Sequence, residues 1–297
     1  MGEVFWRSFL DKLSWLVRTA ELVQTATRHG EDIMREKMGL AEIKSMFDLS
    51  GKVAVITGGS GGFGRAAAIG LAAYGADIVV TSRTLSSLEE TVSEVKTQGQ
   101  QAMAISCDVS NAESVSLMTR QVVDQCGKID IMVTAAGIAA RHPAEEMPLD
   151  DWQKVMDANV KGTFLCCQEA GKDMIKRKEP GSIITVGSIR GFLGHPAGYS
   201  AYGTSKGAVH LLTKQLACEW AKHKIRVNCI APCIFWTPLT EPILNDAEMY
   251  KIFMSRIPIG RAAEPEDFIG ALVYLASPAS NMMTGHIMSV DGGAAAG

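Results

Sequence analysis

The sequence predicts an α/β domain of the doubly wound kind, and three observations carry that expectation. From residue 51 onward, seven short and nearly all-apolar runs alternate with longer amphipathic ones. Runs of that length without polar alternation read as strands buried on both faces, hence a parallel sheet covered by helices. The stretch TGGSGGFG at 57–64 joins the first apolar run to the first amphipathic one. In such a fold, ligands bind beyond the carboxyl ends of the strands, where the strand order reverses.

The expected strands are VAVIT (53–57), DIVVTS (77–82), AMAISCDV (102–109), IDIMVTAA (129–136), SIITVGS (182–188), IRVNCIAP (225–232) and HIMSVDGG (286–293). Helical patterns fall between them at about 63–75, 86–98, 111–126, 150–177, 200–222 and 264–276. No internal repeat or low-complexity segment interrupts the alternation. The expected division is therefore one α/β domain over 48–297 behind an N-terminal extension, 1–47.

That extension has its own rhythm. Phe5, Trp6, Phe9, Leu10, Leu13, Leu16, Val17, Ala20 and Val23 share one face at helical spacing, with Arg7, Asp11, Arg18 and Glu21 opposite. A second helix is expected around 30–46. The apolar face fits packing on the protein's own core or on a second subunit. A membrane surface is the less favoured partner, because residues 1–48 hold seven Lys/Arg against eight Asp/Glu.

Bulk composition narrows the classes. The 297 residues are 47% apolar and 21% charged with net charge −3, which offers no basic footprint for nucleic acid. Cys107, Cys126, Cys166, Cys167, Cys218, Cys229 and Cys233 form no C-x-x-C pair and are odd in number. Zinc and a disulfide framework are thus not expected, and a reducing, cytoplasmic setting is. No metal site is expected. No apolar run reaches the ~18–20 residues of a membrane span, and no secretory signal pattern opens the chain.

The glycine stretch by itself reads equally as a tight turn. Between a first strand and a first helix it becomes a pyrophosphate cradle, with glycines at 58, 62 and 64 and a helix N-terminus supplying free N–H groups. The residue that selects the cofactor belongs near the end of the second strand. There the chain reads Thr81-Ser82-Arg83, with no carboxylate for a ribose 2′-hydroxyl. Arg83 suits a 2′-phosphate, so NADP(H) is favoured over NAD(H). Asp108 and Val109, ending the third strand, are placed for the adenine ring.

YSAYGTSK at 199–206 raises a second question, since it offers two phenols beside one ammonium. Tyr202 and Lys206 are four residues apart, so on a helix they share a face ~5–6 Å apart. Tyr199 lies ~10 Å along the axis from Lys206. A phenol titrates near ~10, and an adjacent cation lowers that value. Tyr202 is thus the expected acid–base group, and Ser188 at the end of the fifth strand a hydrogen-bond partner for the substrate oxygen.

These residues together resemble the short-chain dehydrogenase/reductase family over 51–293. TGxxxGxG is matched at 57–64 and YxxxK by Tyr202 and Lys206, while Asn159, Ser188, RVNCIAP and the terminal VDGG match in order and spacing. The resemblance implies a Rossmann fold, NAD(P)(H)-dependent interconversion of a secondary alcohol and a ketone, and a homo-oligomer, tetrameric or dimeric. It implies a tetrad of Ser188, Tyr202, Lys206 and Asn159, with Lys206 also holding the nicotinamide ribose and Asn159 positioning a water. Cofactor contacts are implied for Gly58, Ser60, Gly62, Phe63, Gly64, Ser82, Arg83, Asp108, Val109, Ala136, Gly137, Tyr202, Lys206, Pro232, Phe235 and Thr237. Within the family the chain looks most like the gluconate 5-dehydrogenase and ketodeoxygluconate dehydrogenase branch.

Two departures stand out. Thr134-Ala135-Ala136-Gly137 replaces the family's Asn-Asn-Ala-Gly, and Pro232-Cys233 its Pro-Gly. The stretch 234–255 is expected to act as a lid over a pocket lined by Arg141, His142, Ile189, Arg190, His195, Tyr199, Cys233 and Trp236. Arginines there suit an anionic or polyhydroxylated substrate, whereas Phe235 and Trp236 suit an apolar one. Reduction of a 3-oxoacyl thioester is an alternative of the same class, favoured if Arg141 and Arg190 face a phosphate-bearing carrier. A catalytically silent binding protein docking through its N-terminal helix is the alternative of another class.

Overall fold

The computed structural model describes residues 39–296. The amphipathic helix expected over 5–23 lies outside the described residues, as does most of the second. Of the latter, α1 (Leu40–Ser45) is described and buries no side chain. The chain from Met46 onward is a unit of its own.

Its frame is a seven-stranded parallel sheet in the order β3-β2-β1-β4-β5-β6-β7. The strands are β1 (Val53–Thr57), β2 (Asp77–Ser82), β3 (Ala102–Ser106), β4 (Ile131–Thr134), β5 (Gly181–Val186), β6 (Ile225–Pro232) and β7 (Ile287–Val290). Every residue of β1, β4 and β5 is buried, which is why these segments carry no polar alternation. Successive side chains point to opposite faces. Ala54 and Ile56 therefore join a core with Ile131, Val133 and Ile184. Val53 and Val55 join another with Met132, Ile183 and Val227.

Helices close both layers. The first core is covered by α2 (Gly62–Ala73), α3 (Glu89–Thr97) and α10 (Glu266–Ala276), through Leu71, Val95, Leu272 and Val273. The second is covered by α4 (Ala112–Cys126), α6 (Gly162–Arg177) and α7 (Ser200–Trp220), through Met118, Cys166, Ala170, Met174 and Leu216. A fully buried side chain of this kind contributes about 1.5–3 kcal/mol, so these layers dominate the stabilisation. Two short helices, α8 (Glu241–Leu244) and α9 (Ala247–Met254), follow β6 in the expected lid.

Strand order reverses between β1 and β4, whose Thr57 and Thr134 stand side by side. A crevice opens there, and two departures from the expected elements shape it. First, β3 and β4 are shorter than their apolar runs. Beyond Ser106 the chain turns, with the Asp108 carboxylate accepting from the N–H and hydroxyl of Ser110 at 2.9 and 2.7 Å. It then enters α4 under the Asn111 cap, whose side chain accepts from the Ser114 N–H.

Second, the helix expected over 150–177 is three pieces: α5 (Leu149–Met156), a π turn (Asp157–Lys161) and α6. The Gly162 N–H reaches back five residues to the Asp157 carbonyl. That wide turn is common at functional sites, and it carries Asn159, 1% exposed. Among the described residues no helix is long and apolar enough to cross a membrane. Nor is any group of three or more His, Cys, Asp or Glu among them placed to hold a metal.

Candidate active site

The crevice begins where β1 ends. Gly58 has φ +71°, in the left-handed region, and a Cβ there would lie 2.9 Å from the Ala136 Cα. A Cβ on Gly64 would lie 2.1 Å from the Gly58 carbonyl oxygen, so the turn folds onto the first turn of α2 only without side chains. Thr57 and Thr91 fasten the loop: the Thr57 hydroxyl accepts from Ala136 N–H at 3.1 Å, and Thr91 donates to the Gly59 carbonyl at 2.9 Å. The bare Cα of Gly58 is what lets its backbone come this close to that of Ala136.

The loop, the start of α2 and the ends of β2, β3 and β4 enclose a groove of about 560 Å³. Gly58, Ser60, Gly62 and Phe63 line one wall; Ser82, Arg83, Asp108 and Val109 the far end; Ala136, Gly137 and Thr237 the near side. Arg83 is exposed and lies close enough to Asp108 to lower its pKa, after the larger effect of the Ser110 hydrogen bonds. The backbone cradle, which a Cβ would fill, together with the α2 N-terminus, fits the pyrophosphate of a nicotinamide dinucleotide. Ile138, Lys154, Asp157 and Leu239 also line the groove. Lys154 and Asp157 sat inside a plain helical pattern, which gave no signal.

Apart from Tyr202 and Lys206, three expected cofactor residues do not line the groove. Gly64 is packed behind the loop, and Pro232 is buried at the end of β6. Phe235 is 1% exposed, with its ring edge-on to Phe63 at 4.9 Å, and Phe63 in turn 4.9 Å from Phe268. The aromatic pair closes the core beneath the groove, so its apolar surface is satisfied by protein.

Beyond the near end of the groove stand the tetrad residues. Tyr202 and Lys206 are on the first turns of α7, with Nζ 5.6 Å from the phenol ring centroid. Lys206 Nζ donates to the Val186 carbonyl at 2.8 Å, and burial brings its pKa down to about 8. Burial pushes the Tyr202 phenol up to about 12; the facing Ser188 hydroxyl and the Arg190 charge oppose this, and Tyr199 reinforces it. The lowering expected at Tyr202 is thus not what the protein groups alone produce, because burial outweighs the groups that oppose it. Ser188 closes the edge of β5, and its Oγ accepts from the Arg190 N–H at 3.1 Å.

Asn159 faces this group from the π turn. Its Oδ1 accepts from the Ile138 N–H at 2.8 Å, and its Nδ2 donates to the Ile138 carbonyl at 2.9 Å and to the Ser205 hydroxyl at 3.0 Å. The amide thereby fixes the loop after β4 to α7, and Oδ1 keeps one lone pair for a further donor.

Next to Tyr202 lies a cavity of about 190 Å³ lined by Arg141, Ser188, Ile189, Arg190, Tyr199 and Cys233. His195 does not line this cavity but a neighbouring pocket of about 760 Å³ that shares Arg141, Arg190 and Tyr199 with it, and it stacks at 5.4 Å on Phe253, a wall of the cavity. Burial, then the charges of Arg190 and Arg256, bring its imidazole to about 4. His142 lines the same neighbouring pocket, with Nε2 3.2 Å from Asp151 Oδ2. Trp236 does not line the cavity: its backbone N–H donates to the Ala263 carbonyl, and its side chain packs beside the Ile234–Ile243 cluster. Burial pushes the Cys233 thiol up to about 11, the opposite of a reactive thiolate. Arg256, Ile243, Phe253 and Ile257 also line the cavity. Their role was unreadable, since no local pattern tells which residues of the lid, or just after it, fold back onto the cavity.

A crevice at the switch point, with a phenol and an ammonium at its inner end, is the equipment of an oxidoreductase that moves a hydride to or from a carbonyl carbon. Residues 58–295 match the family model described as Enoyl-(Acyl carrier protein) reductase. The chain is 41% identical over 247 residues to the 2-dehydro-3-deoxy-D-gluconate 5-dehydrogenase of Bacillus subtilis, covering 83% of this chain and 96% of that protein. Among solved structures it is similar to a short-chain type dehydrogenase/reductase from Mycobacterium marinum, with TM-score 0.82 and 40% identity over 85% and 98% of the two chains. It is also similar to a gluconate 5-dehydrogenase from Burkholderia cenocepacia, solved with NADP and tartrate, with TM-score 0.82 and 34% identity over 85% and 98%. The chain belongs to the short-chain dehydrogenase/reductase family. It is a nucleotide-dependent oxidoreductase interconverting secondary alcohols and ketones.

Proposed function

We propose that the protein uses NADP(H), with Tyr202 as proton donor and acceptor at the substrate oxygen. The observation that carries the reading is the convergence of Tyr202, Lys206 and Ser188 at the inner end of a groove whose outer end holds Arg83. When bound, the cofactor supplies or takes the hydride. The glycine loop and the α2 N-terminus hold its pyrophosphate, Arg83 its 2′-phosphate, and Thr237 its nicotinamide end. Ser188 orients the substrate oxygen beside the phenol. Lys206 holds the ribose and supports the charge on Tyr202, while Asn159 keeps the β4 loop in register with α7.

With its phenol near 12, the protein alone keeps Tyr202 protonated, the form that ketone reduction needs. The named relatives support an enzyme over a silent binding protein. Incubation with a panel of ketones and secondary alcohols tests the reading. NADPH consumed faster than NADH on at least one ketone supports it, and no turnover in either direction overturns it.

A homo-oligomer goes with this reading, supported by Phe164 on α6 and Leu211 on α7, which are 37% and 62% exposed. We place the catalytic domain at 48–297, the lid at 234–255 and the extension at 1–47. Seven free cysteines favour the cytoplasm.

A further inference from the structure

The cavity beside Tyr202 is rich in hydrogen-bond donors and poor in acceptors. Arg141, Arg190 and Arg256 line it, and no Asp, Glu, Asn or Gln does. Arginine donates and never accepts. The Thr240 hydroxyl is already engaged by the Phe235 carbonyl and by Thr237. Ser188, Tyr199 and Tyr202 are the remaining hydroxyls, and two of these are assigned to the reacting oxygen. The rest of the wall is apolar, with Ile189, Ile234, Ile243, Phe253 and Ile257. A chain of substrate hydroxyls buried here would leave donors without partners, which disfavours a polyol or sugar.

The arginines also have no carboxylate partner among the described residues. Among the described residues, none of the ion pairs includes Arg141, Arg190 or Arg256. Arg190 gives one nitrogen to the Gly194 carbonyl at 3.1 Å and keeps its other donors. Arg190 is partly buried, and Arg256 is close enough to push its pKa down further. Two guanidinium groups facing one cavity without a counter-charge are a site for an anion, and their planar forks suit a carboxylate.

Resting on the ketone–alcohol reading above, we propose that the substrate is an oxo acid with a compact apolar body. Arg190 and Arg256 hold its carboxylate, Ile243, Phe253 and Ile257 enclose its chain or ring, and Ser188 and Tyr202 receive its ketone. A dry cavity of about 150 Å³ takes a benzene-sized body, so about 190 Å³ admits one ring or a short branched chain. Each turnover converts one oxo acid, one NADPH and one proton to the hydroxy acid and NADP⁺.

The test compares kcat/KM with NADPH for phenylpyruvate and benzoylpropionate, each beside its methyl ester, and for 5-keto-D-gluconate. The proposal expects at least one acid to exceed its ester and the sugar acid by tenfold or more. Arg256→Met, at an exposed position, then cuts that acid-over-ester ratio at least tenfold, through KM. Esters reduced as well as both acids, the sugar acid leading the panel, or a ratio unmoved by Arg256→Met overturns the assignment and leaves the ketone–alcohol reading in place. No carbonyl reduced at all overturns both.

Discussion

His210, on the third turn of α7, is 5% exposed, and neither ring nitrogen has a hydrogen-bond partner among the described residues. Its ring lies 4.4 Å from that of Phe192 and fills the space left by Gly187 and Gly191, where Cβ atoms would come within 2.5 and 2.4 Å of it. Burial, then the charges of Lys206 and Lys214, bring its pKa from 6.5 to about 4. The sign follows. Between those values the unfolded chain binds a proton that the folded one does not, so stability falls as pH drops through about 6.5. The loss is complete below about 4.

At 1.36 kcal/mol per unit the full loss is about 3 kcal/mol, of which about 2 kcal/mol falls between pH 7 and pH 5. His195 titrates in the same window but is partly exposed and adds less. His210→Leu, of similar volume, should remove most of this slope and leave stability at pH 7 within about 1.5 kcal/mol of the original. Urea unfolding of the cofactor-free protein at pH 7, 6 and 5, followed by circular dichroism, reads the effect. A His210→Leu protein that loses as much stability between pH 7 and pH 5 as the original refutes the reasoning.

The other predictions concern the groove. Arg83→Ala should raise the KM for NADPH about tenfold or more and leave that for NADH nearly unchanged, since a bidentate arginine–phosphate pair is worth about 1.5–3 kcal/mol; an unchanged NADPH KM removes the case for the 2′-phosphate. Gly64→Ala sets a Cβ 2.1 Å from the Gly58 carbonyl oxygen. The loop must open, so NADPH affinity, read by nucleotide fluorescence, should fall at least tenfold while far-UV circular dichroism is kept. Affinity within twofold of the original contradicts the described close approach.

Much of this was legible in the sequence because burial leaves a simple mark. A strand such as β1, covered on both faces, reads as a nearly unbroken apolar run, and its limits, like those of β6, matched the expected ones. Tyr202 and Tyr199 were separable by helical spacing alone. The π turn was not legible, because a single wide turn inside a longer helical stretch carries no residue type of its own to mark it. Phe235 and Trp236 misled as cofactor and pocket residues, since an apolar side chain beside a site serves a core equally well. Arg256 and Phe253 could not be placed, because the path of the lid is set by packing against Ile189 and Ile234 and not by local pattern. The direction of the Lys206 ammonium depends on one β5 carbonyl, which no side-chain pattern reveals.

The central claim is that the Tyr202 phenol exchanges the proton with the substrate oxygen. Tyr202→Phe removes one hydroxyl and keeps the ring beside Lys206, so the groove and its cradle are untouched. Turnover of the best ketone and NADPH binding by nucleotide fluorescence should be measured on the same sample. The account predicts a loss of at least a hundredfold in kcat, the scale of a positioned general acid, with NADPH affinity within threefold of the original. A Tyr202→Phe protein that keeps a tenth or more of the original kcat contradicts it.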